Sequence, residues 1–425
     1  MENALDILRD RGFVEATTDD EGVRELLERP TTCYIGFDPT APSLHAGSLE
    51  PIMSLVHLQR CGHRPIVLVG GGTGLVGDPS GKTEMRRVMS AEEVSDNAEA
   101  LKRQLSRYLD FGEGKALLLN NADWLTNLRY IDFLRDIGRH FSVNRMLTAE
   151  SYRLRMEQES GLNFIEFNYM LLQAYDFWYL WKHYGCRLQL GGADQWGNIC
   201  AGIDLTRRLG GPQLYGITFP LLTTRSGAKM GKTASGAVWL DPQRTSAYEF
   251  YQYWINTDDQ DVERFLALFT FLPMEEVRRL GKLQEERLRE AKETLAFEAT
   301  RITHSAEEAE KARQASRRLF AGRADPGGGP AAADDSVPTT EVERFRLEEG
   351  IPAWQLLEEI GLCRTRAEAR RLIQQGGAYV NDRRLKAFDE RVGLDCLQGG
   401  EILLRAGKKR FHRVRVRAED VSRVR

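Results

Sequence analysis

Residues 32–69 read TCYIGFDPTAPSLHAGSLEPIMSLVHLQRCGHRPIVLV, and the fold class turns on this run. Thr32 to Phe37 and Arg64 to Val69 are short apolar stretches, each followed by a Gly- or Pro-rich turn, so both read as strands. Between them Leu49, Ile52, Met53 and Val56 recur at i, i+3, i+4 and i+7, which places them on one face of an amphipathic helix. Strand, helix, strand is the unit of a parallel sheet. A similar alternation recurs around Cys186 to Gly191 and the segment after it. Residues 1–220 are therefore expected to form a doubly wound, Rossmann-like α/β domain.

Toward the C-terminus the pattern changes. From residue 242 to 322 strand character gives way to long helices rich in Glu, Arg, Ala and Leu, so residues 221–323 read as a lysine-bearing loop followed by an α-helical domain. Residues 324–345, with Gly327-Gly328-Gly329-Pro330-Ala331-Ala332-Ala333, read as a flexible linker. Residues 346–425 form a small α+β module. Its clearest helix starts at Thr365 with Glu368 three positions on, a capping box, and stops at Gly376-Gly377. Ala378 to Asn381 then reads as a strand entering a turn.

A chain of 425 residues can hold two to four domains, and 42% hydrophobic with 28% charged residues is ordinary for a soluble globular protein. No stretch approaches the roughly 18 to 20 apolar residues that a membrane span needs. The opening residues Met1-Glu2-Asn3-Ala4-Leu5-Asp6 lack a basic region followed by an apolar one, so no secretory signal is expected. Cys33, Cys61, Cys186, Cys200, Cys363 and Cys396 form no C-x-x-C pair, which argues against a thiolate metal site and fits a reducing compartment. Cytoplasm and no protein-bound metal are the expectations. The net charge is −3, yet from residue 360 onward 17 Lys and Arg stand against 8 Asp and Glu. A basic tail on an acidic body suits a polyanionic partner, although a solvated charged face would look the same.

Two glycine-rich patterns mislead. Gly72, Gly74 and Gly77 satisfy the dinucleotide-binding spacing, but Asp78-Pro79 breaks the chain where a helix should start. Gly81-Lys82-Thr83 ends like a phosphate loop, but Val76 occupies the place of the glycine that such a loop requires. What survives is a backbone-exposing loop at a strand's C-terminal end, carrying Asp78 and Lys82.

Pro39 to Ser48 lies between the first strand and the amphipathic helix, where free N–H groups and the helix dipole favour anions. His45 there can donate to a phosphate oxygen, and Gly47 leaves room for a flat base to approach the backbone. Far downstream, Lys229-Met230-Gly231-Lys232-Thr233 sets two ammonium groups three residues apart in a Gly-flanked loop, an arrangement that could hold a polyphosphate. Tyr169, Gln173 and Asp176, at i, i+4 and i+7, form one polar stripe on a helix otherwise full of aromatics and leucines. Such a stripe is satisfied either by a buried structural network or by a polar ligand.

Paired at this distance, the two basic elements resemble the two signatures of class I aminoacyl-tRNA synthetases. With Tyr34-Ile35-Gly36-Phe37-Asp38-Pro39-Thr40, Gly77 to Lys82, Gln173-Ala174-Tyr175-Asp176 and Gly191 to Asn198, nearly the whole chain looks like the bacterial tyrosyl branch of that family. The resemblance implies L-tyrosine, ATP with Mg2+ and tRNA(Tyr) as substrates, and a homodimer whose subunits meet near Phe164. It assigns Tyr34 and Asp176 to the phenol, Tyr169, Gln173 and Asp78 to the ammonium, and Gln195 to the carboxylate. Asp38, Gly192 and Asp194 would lie near the ribose. Pro39, His45, Gly47, Ser48, Lys229, Lys232 and Thr233 would complete the ATP site, and Thr40, His45, Lys82, Arg86, Lys229 and Lys232 would stabilise the reacting phosphates. Ser48 stands where many relatives have a second His, and Gly231-Lys232-Thr233 where many have Ser-Lys-Ser. The terminal module resembles the RNA-binding domain named after small-ribosomal-subunit protein four, with Arg366, Arg370 and Arg371 suited to phosphate contact. Two rivals stay open: an RNA-binding scaffold without catalysis, and an enzyme that activates tryptophan or another small molecule.

Overall fold

The computed structural model describes residues 2–80, 89–158, 161–223, 230–233, 236–321, 337–381, 383–407 and 410–417, with the backbone alone at 232–233 and 319–321. The chain divides into two compact units. One comprises Met1–Gly231, Trp239–Asp241 and Asp258–Gln284, the other Lys232–Val238, Pro242–Thr257 and Glu285–Arg425. Asp258–Gln284 thus groups with the α/β unit rather than with the other helices of residues 221–323. No helix among the described residues is long and apolar enough to cross a membrane.

In the first unit β1 (Ala16–Thr17), β2 (Thr32–Phe37), β3 (Arg64–Val69), β4 (Leu117–Asn120), β5 (Cys186–Gly192) and β6 (Tyr215–Phe219) form one sheet in the order β1-β6-β5-β2-β3-β4. All neighbours run parallel except the two-residue edge strand β1. β2 and β3 have the bounds read from sequence, paired from Thr32–Arg64 to Phe37–Val69. From β2 the chain winds outward through β3 and β4, then returns to lay β5 along the other edge of β2. At that reversal the loops leaving β2 and β5 diverge, which opens a crevice at the strands' carboxyl ends. The α/β doubly wound architecture is the one expected.

α1 (Leu49–Arg60) joins β2 to β3. Its predicted apolar face is buried, but so are Glu50, Ser54 and His57. The helix is covered on more than one side because α7 (Val262–Phe269) packs on it and the His57 ring meets Phe13 edge-on at 5.7 Å and Phe271 at 5.4 Å. α2 (Ala91–Leu105) opens with a Ser90–Glu93 capping box, α3 (Ala122–Leu125) is a single turn after β4, and α4 (Tyr169–Tyr184) ends on left-handed Gly185 at φ +67°. α5 (Trp196–Arg208) leaves the end of β5 through a 3₁₀ turn.

In the second unit β7 (Lys232–Thr233) and β8 (Gly236–Ala237) pair antiparallel. α6 (Ala247–Ile255), α8 (Leu288–Thr303) and α9 (Ala306–Ala321) pack on one another, with Gln252 donating to Ser316 at 3.0 Å inside the bundle. The C-terminal module contains β9 (Thr339–Val342), β10 (Ile351–Pro352), α10 (Ala353–Glu359), α11 (Arg366–Gln374), β11 (Ala378–Val380), β12 (Arg383–Arg384), β13 (Arg391–Val392), β14 (Glu401–Ala406) and β15 (Arg410–Val416). Its main sheet runs β12-β11-β14-β15-β9 over a core that includes Leu347, Leu356, Ile373, Val380 and Leu404. The sequence reading had β9 within the 324–345 linker. It is a strand because Thr339–Val342 add in parallel to β15, a long-range pairing without local signal. Thr365 caps α11 by accepting from the Glu368 N–H, whereas the Glu368 carboxylate accepts from Arg364 N at 2.9 Å, one residue before the expected partner.

Candidate active site

The crevice between the ends of β2 and β5 gathers the predicted polar stripe. Tyr34 on β2 is 1% exposed, and its hydroxyl meets no hydrogen-bond partner among the described residues. Burial raises its pKa well above the usual tyrosine value, and the Asp176 charge adds to this. On α4, Asp176 is buried and accepts from Trp124 Nε1 at 2.7 Å and from Asn121 Nδ2 at 2.9 Å. Burial outweighs those two donors and pushes its pKa up to about 7, with Asp38 adding repulsion. Gln189, which pairs with Tyr34 across β2 and β5, is a second buried side chain whose oxygen finds no partner among the described residues.

One turn nearer the start of α4 the polar groups knit together. Gln173 Nε2 donates to Gln195 Oε1 at 3.1 Å, and Gln195 Nε2 donates to Asp78 Oδ2 at 2.9 Å. Asn198 Nδ2 reaches Gln173 Oε1 at 3.0 Å and Gln195 Oε1 at 3.1 Å. Asp78 also accepts from Ser80 N at 2.9 Å. Burial and the nearby Asp38 charge nevertheless push it up to about 6. The half-buried Asp38 thus repels both buried carboxylates, Asp78 and Asp176. A ligand ammonium would relieve that repulsion and draw both raised pKa values down. Tyr169 is buried at the head of the same helix face.

The glycine loop after β3 is the floor of this place. Gly71 N donates to Asn120 Oδ1 at 3.2 Å and Gly72 N to Asn121 Oδ1 at 2.8 Å, so the end of β4 and the residue after it hold the loop through two asparagines. A Cβ at Gly70 would sit 2.8 Å from Asp38 Oδ1. Instead of a dinucleotide-type helix, Thr73–Leu75 form a single 3₁₀ turn.

His45 begins the turn before α1. Its Nδ1 accepts from Gly47 N at 3.0 Å, so in the neutral ring Nε2 carries the proton. Pro39 and Leu44 are braced from α2, where Asn97 donates to the Pro39 carbonyl at 2.9 Å and Leu44 N donates to Gln104 Oε1 at 2.8 Å. Thr40 is exposed with its N–H on the Asp38 carbonyl, and Ser48 N donates to the His45 carbonyl at 2.7 Å. Gly47 lies close to Met230 and Gly231. A Cβ there would lie 2.7 Å from the Met230 carbonyl, and one at Gly231, φ +79°, would lie 2.5 Å from Gly47 N. Met230 and Gly231 of the second signature thus lie against His45 and Gly47 of the first. At the end of β5, Gly192 abuts the Asp194 carboxylate.

Lys82, Arg86 and Lys229 lie outside the described residues, and Lys232 and Thr233 are described only as the backbone of β7. Among the described residues no group of three or more His, Cys, Asp or Glu side chains could hold a metal ion. In the C-terminal module Arg366 pairs with Glu358 at 3.1 Å, and both Arg366 and Arg370 lie over the Trp354 ring. Arg371 is exposed on the same helix.

Residues 26–321 match the family model of tRNA synthetases class I (W and Y). The chain belongs to that family. Residues 331–414 of this class I synthetase match the tyrosine–tRNA ligase SYY-like C-terminal domain. It is 59% identical over 423 residues to a tyrosine–tRNA ligase of Desulfatibacillum aliphaticivorans, covering 97% of this chain and 98% of that one. It is also 59% identical over 429 residues to the tyrosine–tRNA ligase of Desulfosudis oleivorans, covering 98% and 99%. Among solved structures it resembles a C-terminally truncated mitochondrial tyrosyl-tRNA synthetase of Aspergillus nidulans, with TM-score 0.68 and 31% identity over 75% of this chain and 95% of that one. Within this synthetase, sequence reasoning missed Asn121, Trp124, Gln189 and Ser80, and gave Asn198 no role. Asn198 alone had a local signal, at i+3 from Gln195.

Proposed function

We propose that this chain activates L-tyrosine with ATP, as its magnesium complex, to tyrosyl-adenylate and pyrophosphate, and then loads tRNA(Tyr). The observation that carries the reading is the orphaned Tyr34 hydroxyl beside the buried Asp176 carboxylate. A phenol donating to Asp176 and accepting from Tyr34 satisfies both, whereas an indole offers a single donor and no acceptor. Gln173, Asp78 and Tyr169 would then face the ammonium and Gln195 the carboxylate.

In the first step a tyrosine carboxylate oxygen attacks the α-phosphorus, an O–P bond forms, and the bond to pyrophosphate breaks. The nucleophile is already ionised, so catalysis rests on alignment and on neutralising charge as pyrophosphate leaves. Thr40, His45, Lys82, Arg86, Lys229 and Lys232 are assigned that work, with Asp38, Pro39, Gly47, Ser48, Gly192, Asp194 and Thr233 holding the nucleotide. A ribose hydroxyl at the tRNA 3′ end then attacks the mixed anhydride and releases AMP. Residues 1–220 would supply the chemistry, 221–323 the lysine loop and helices, and the module after the linker the RNA contacts at Arg366, Arg370 and Arg371. Homodimerisation is supported by the exposed apolar side chains Tyr130, Ile131, Val143 and Phe164 within one segment of the first unit. Cytoplasmic residence fits six cysteines that are all free and all at least partly buried.

ATP–pyrophosphate exchange measured against all twenty amino acids tests the reading. Tyrosine should support exchange far above the others. Tryptophan-dependent exchange, or none at all, would overturn it. Lys232→Ala should slow exchange far more than it weakens tyrosine binding, because the charge it meets develops in the transition state.

A further inference from the structure

Asp176 is held by a donor that is itself held. Trp124 on α3 gives its Nε1 proton to Asp176 Oδ1 at 2.7 Å, and its indole lies flat on the Tyr179 ring, centroids 4.3 Å apart and planes 16° from parallel. Tyr179 follows Asp176 by three residues, so both project from neighbouring positions on one side of α4. The Tyr179 ring also meets His183 at 4.2 Å, one turn further on, where the helix is exposed. A column of three rings therefore runs from the protein surface to the carboxylate. An indole has one N–H, and a turn of its ring about the side-chain bonds would carry that proton away from Oδ1. A parallel ring at stacking distance opposes that turn.

We propose that Tyr179 is a positioning residue for amino-acid selection: by fixing the Trp124 indole it keeps one donor on Asp176, so that the remaining lone pairs of the carboxylate point at the substrate hydroxyl. This rests on the reading of the site as a tyrosine pocket. Tyr179 needs no contact with substrate. Its effect passes through Trp124 to Oδ1, while Asn121 independently holds Oδ2 at 2.9 Å. The other groups whose charge interacts with this carboxylate are Tyr34 from β2, Asp38 from the loop that follows it and Tyr175, its neighbour on α4.

The test is exchange kinetics with tyrosine and phenylalanine on the full chain. Tyr179→Phe keeps the ring and should keep the wild-type ratio of the two kcat/KM values. Tyr179→Ala should lower kcat/KM for tyrosine by about tenfold, the upper range for one aromatic pair, and leave phenylalanine nearly unchanged. Because a lost donor favours the protonated carboxyl, the acidic limb of the tyrosine pH profile should move to higher pH in Tyr179→Ala. Trp124→Phe should give the same ratio on its own, and adding Tyr179→Ala to it should change that ratio by less than about twofold. Equal losses for both amino acids, an unmoved limb, or additive effects would overturn the inference. If Tyr179→Ala fails to fold by its thermal melt, Tyr179→Leu is read by the same criteria. Absence of tyrosine exchange in the wild type would instead overturn the pocket assignment itself.

Discussion

Tyr34 illustrates how a single side chain can cost stability and supply selectivity. A buried hydroxyl without a partner is unfavourable by about 1–3 kcal/mol. Tyr34→Phe should therefore raise the melting temperature of the ligand-free protein while narrowing the margin of tyrosine over phenylalanine, as the two kcat/KM values would report. A lowered melting temperature together with an unchanged margin would mean that the hydroxyl has a structural partner and does not read the phenol. Asp176→Asn should cut tyrosine activation on the order of a hundredfold, since it removes a charged acceptor from the hydroxyl. The same change should relieve the burial cost that holds this carboxyl at about 7.

At the scale of an element, α1 shows what burial on more than one side does to a helix that reads as amphipathic. Glu50 sits near its start, and burial pushes its pKa from 4.5 up to about 8 despite the opposing pull of Arg264. Folded Glu50 thus keeps a proton that the unfolded chain gives up above pH 4.5. Stability from this group is complete below pH 4.5, falls as pH rises, and levels off beyond about 8. His57, pushed down to about 3 by burial, acts oppositely: its contribution is lost as pH falls below 6.5. The two are separated by comparison with Glu50→Gln, which is neutral at every pH. That variant should gain stability relative to wild type as pH rises from 5 to 8, measured by denaturant midpoints. A pH-independent difference would show that Glu50 is ionised in the fold.

For the whole molecule, the two matched regions, residues 26–321 and 331–414, suggest a division of labour that truncation can test. A chain ending near residue 323 should still exchange pyrophosphate with tyrosine but charge tRNA poorly. Charging by the full chain should fall as salt rises, because each phosphate contact releases counterions. Normal charging by the truncated chain would remove the basic module from tRNA binding. Part of that basicity is already spent locally, since Arg366 and Arg370 lie over Trp354.

The sequence by itself determined the strands β2 and β3, the start and stop of α11, and the identity of the polar stripe on α4. Each is written within a window of about ten residues, as a period, a cap or a glycine, so local chemistry suffices. It also marked the two segments, Pro39 to Ser48 and Lys229 to Thr233, that are proposed to hold phosphate. Only the tertiary structure set Met230 and Gly231 against Gly47, added β9 to a sheet, and supplied Asp176 with Trp124 and Asn121. Trp124 stands 52 positions from Asp176, and Gln195 stands 117 positions from Asp78. What joins them is the strand order that places β5 beside β2 and hangs β4 at the edge. Such contacts follow from how the layers pack, and no periodicity along the chain records which distant donor will meet a buried carboxylate.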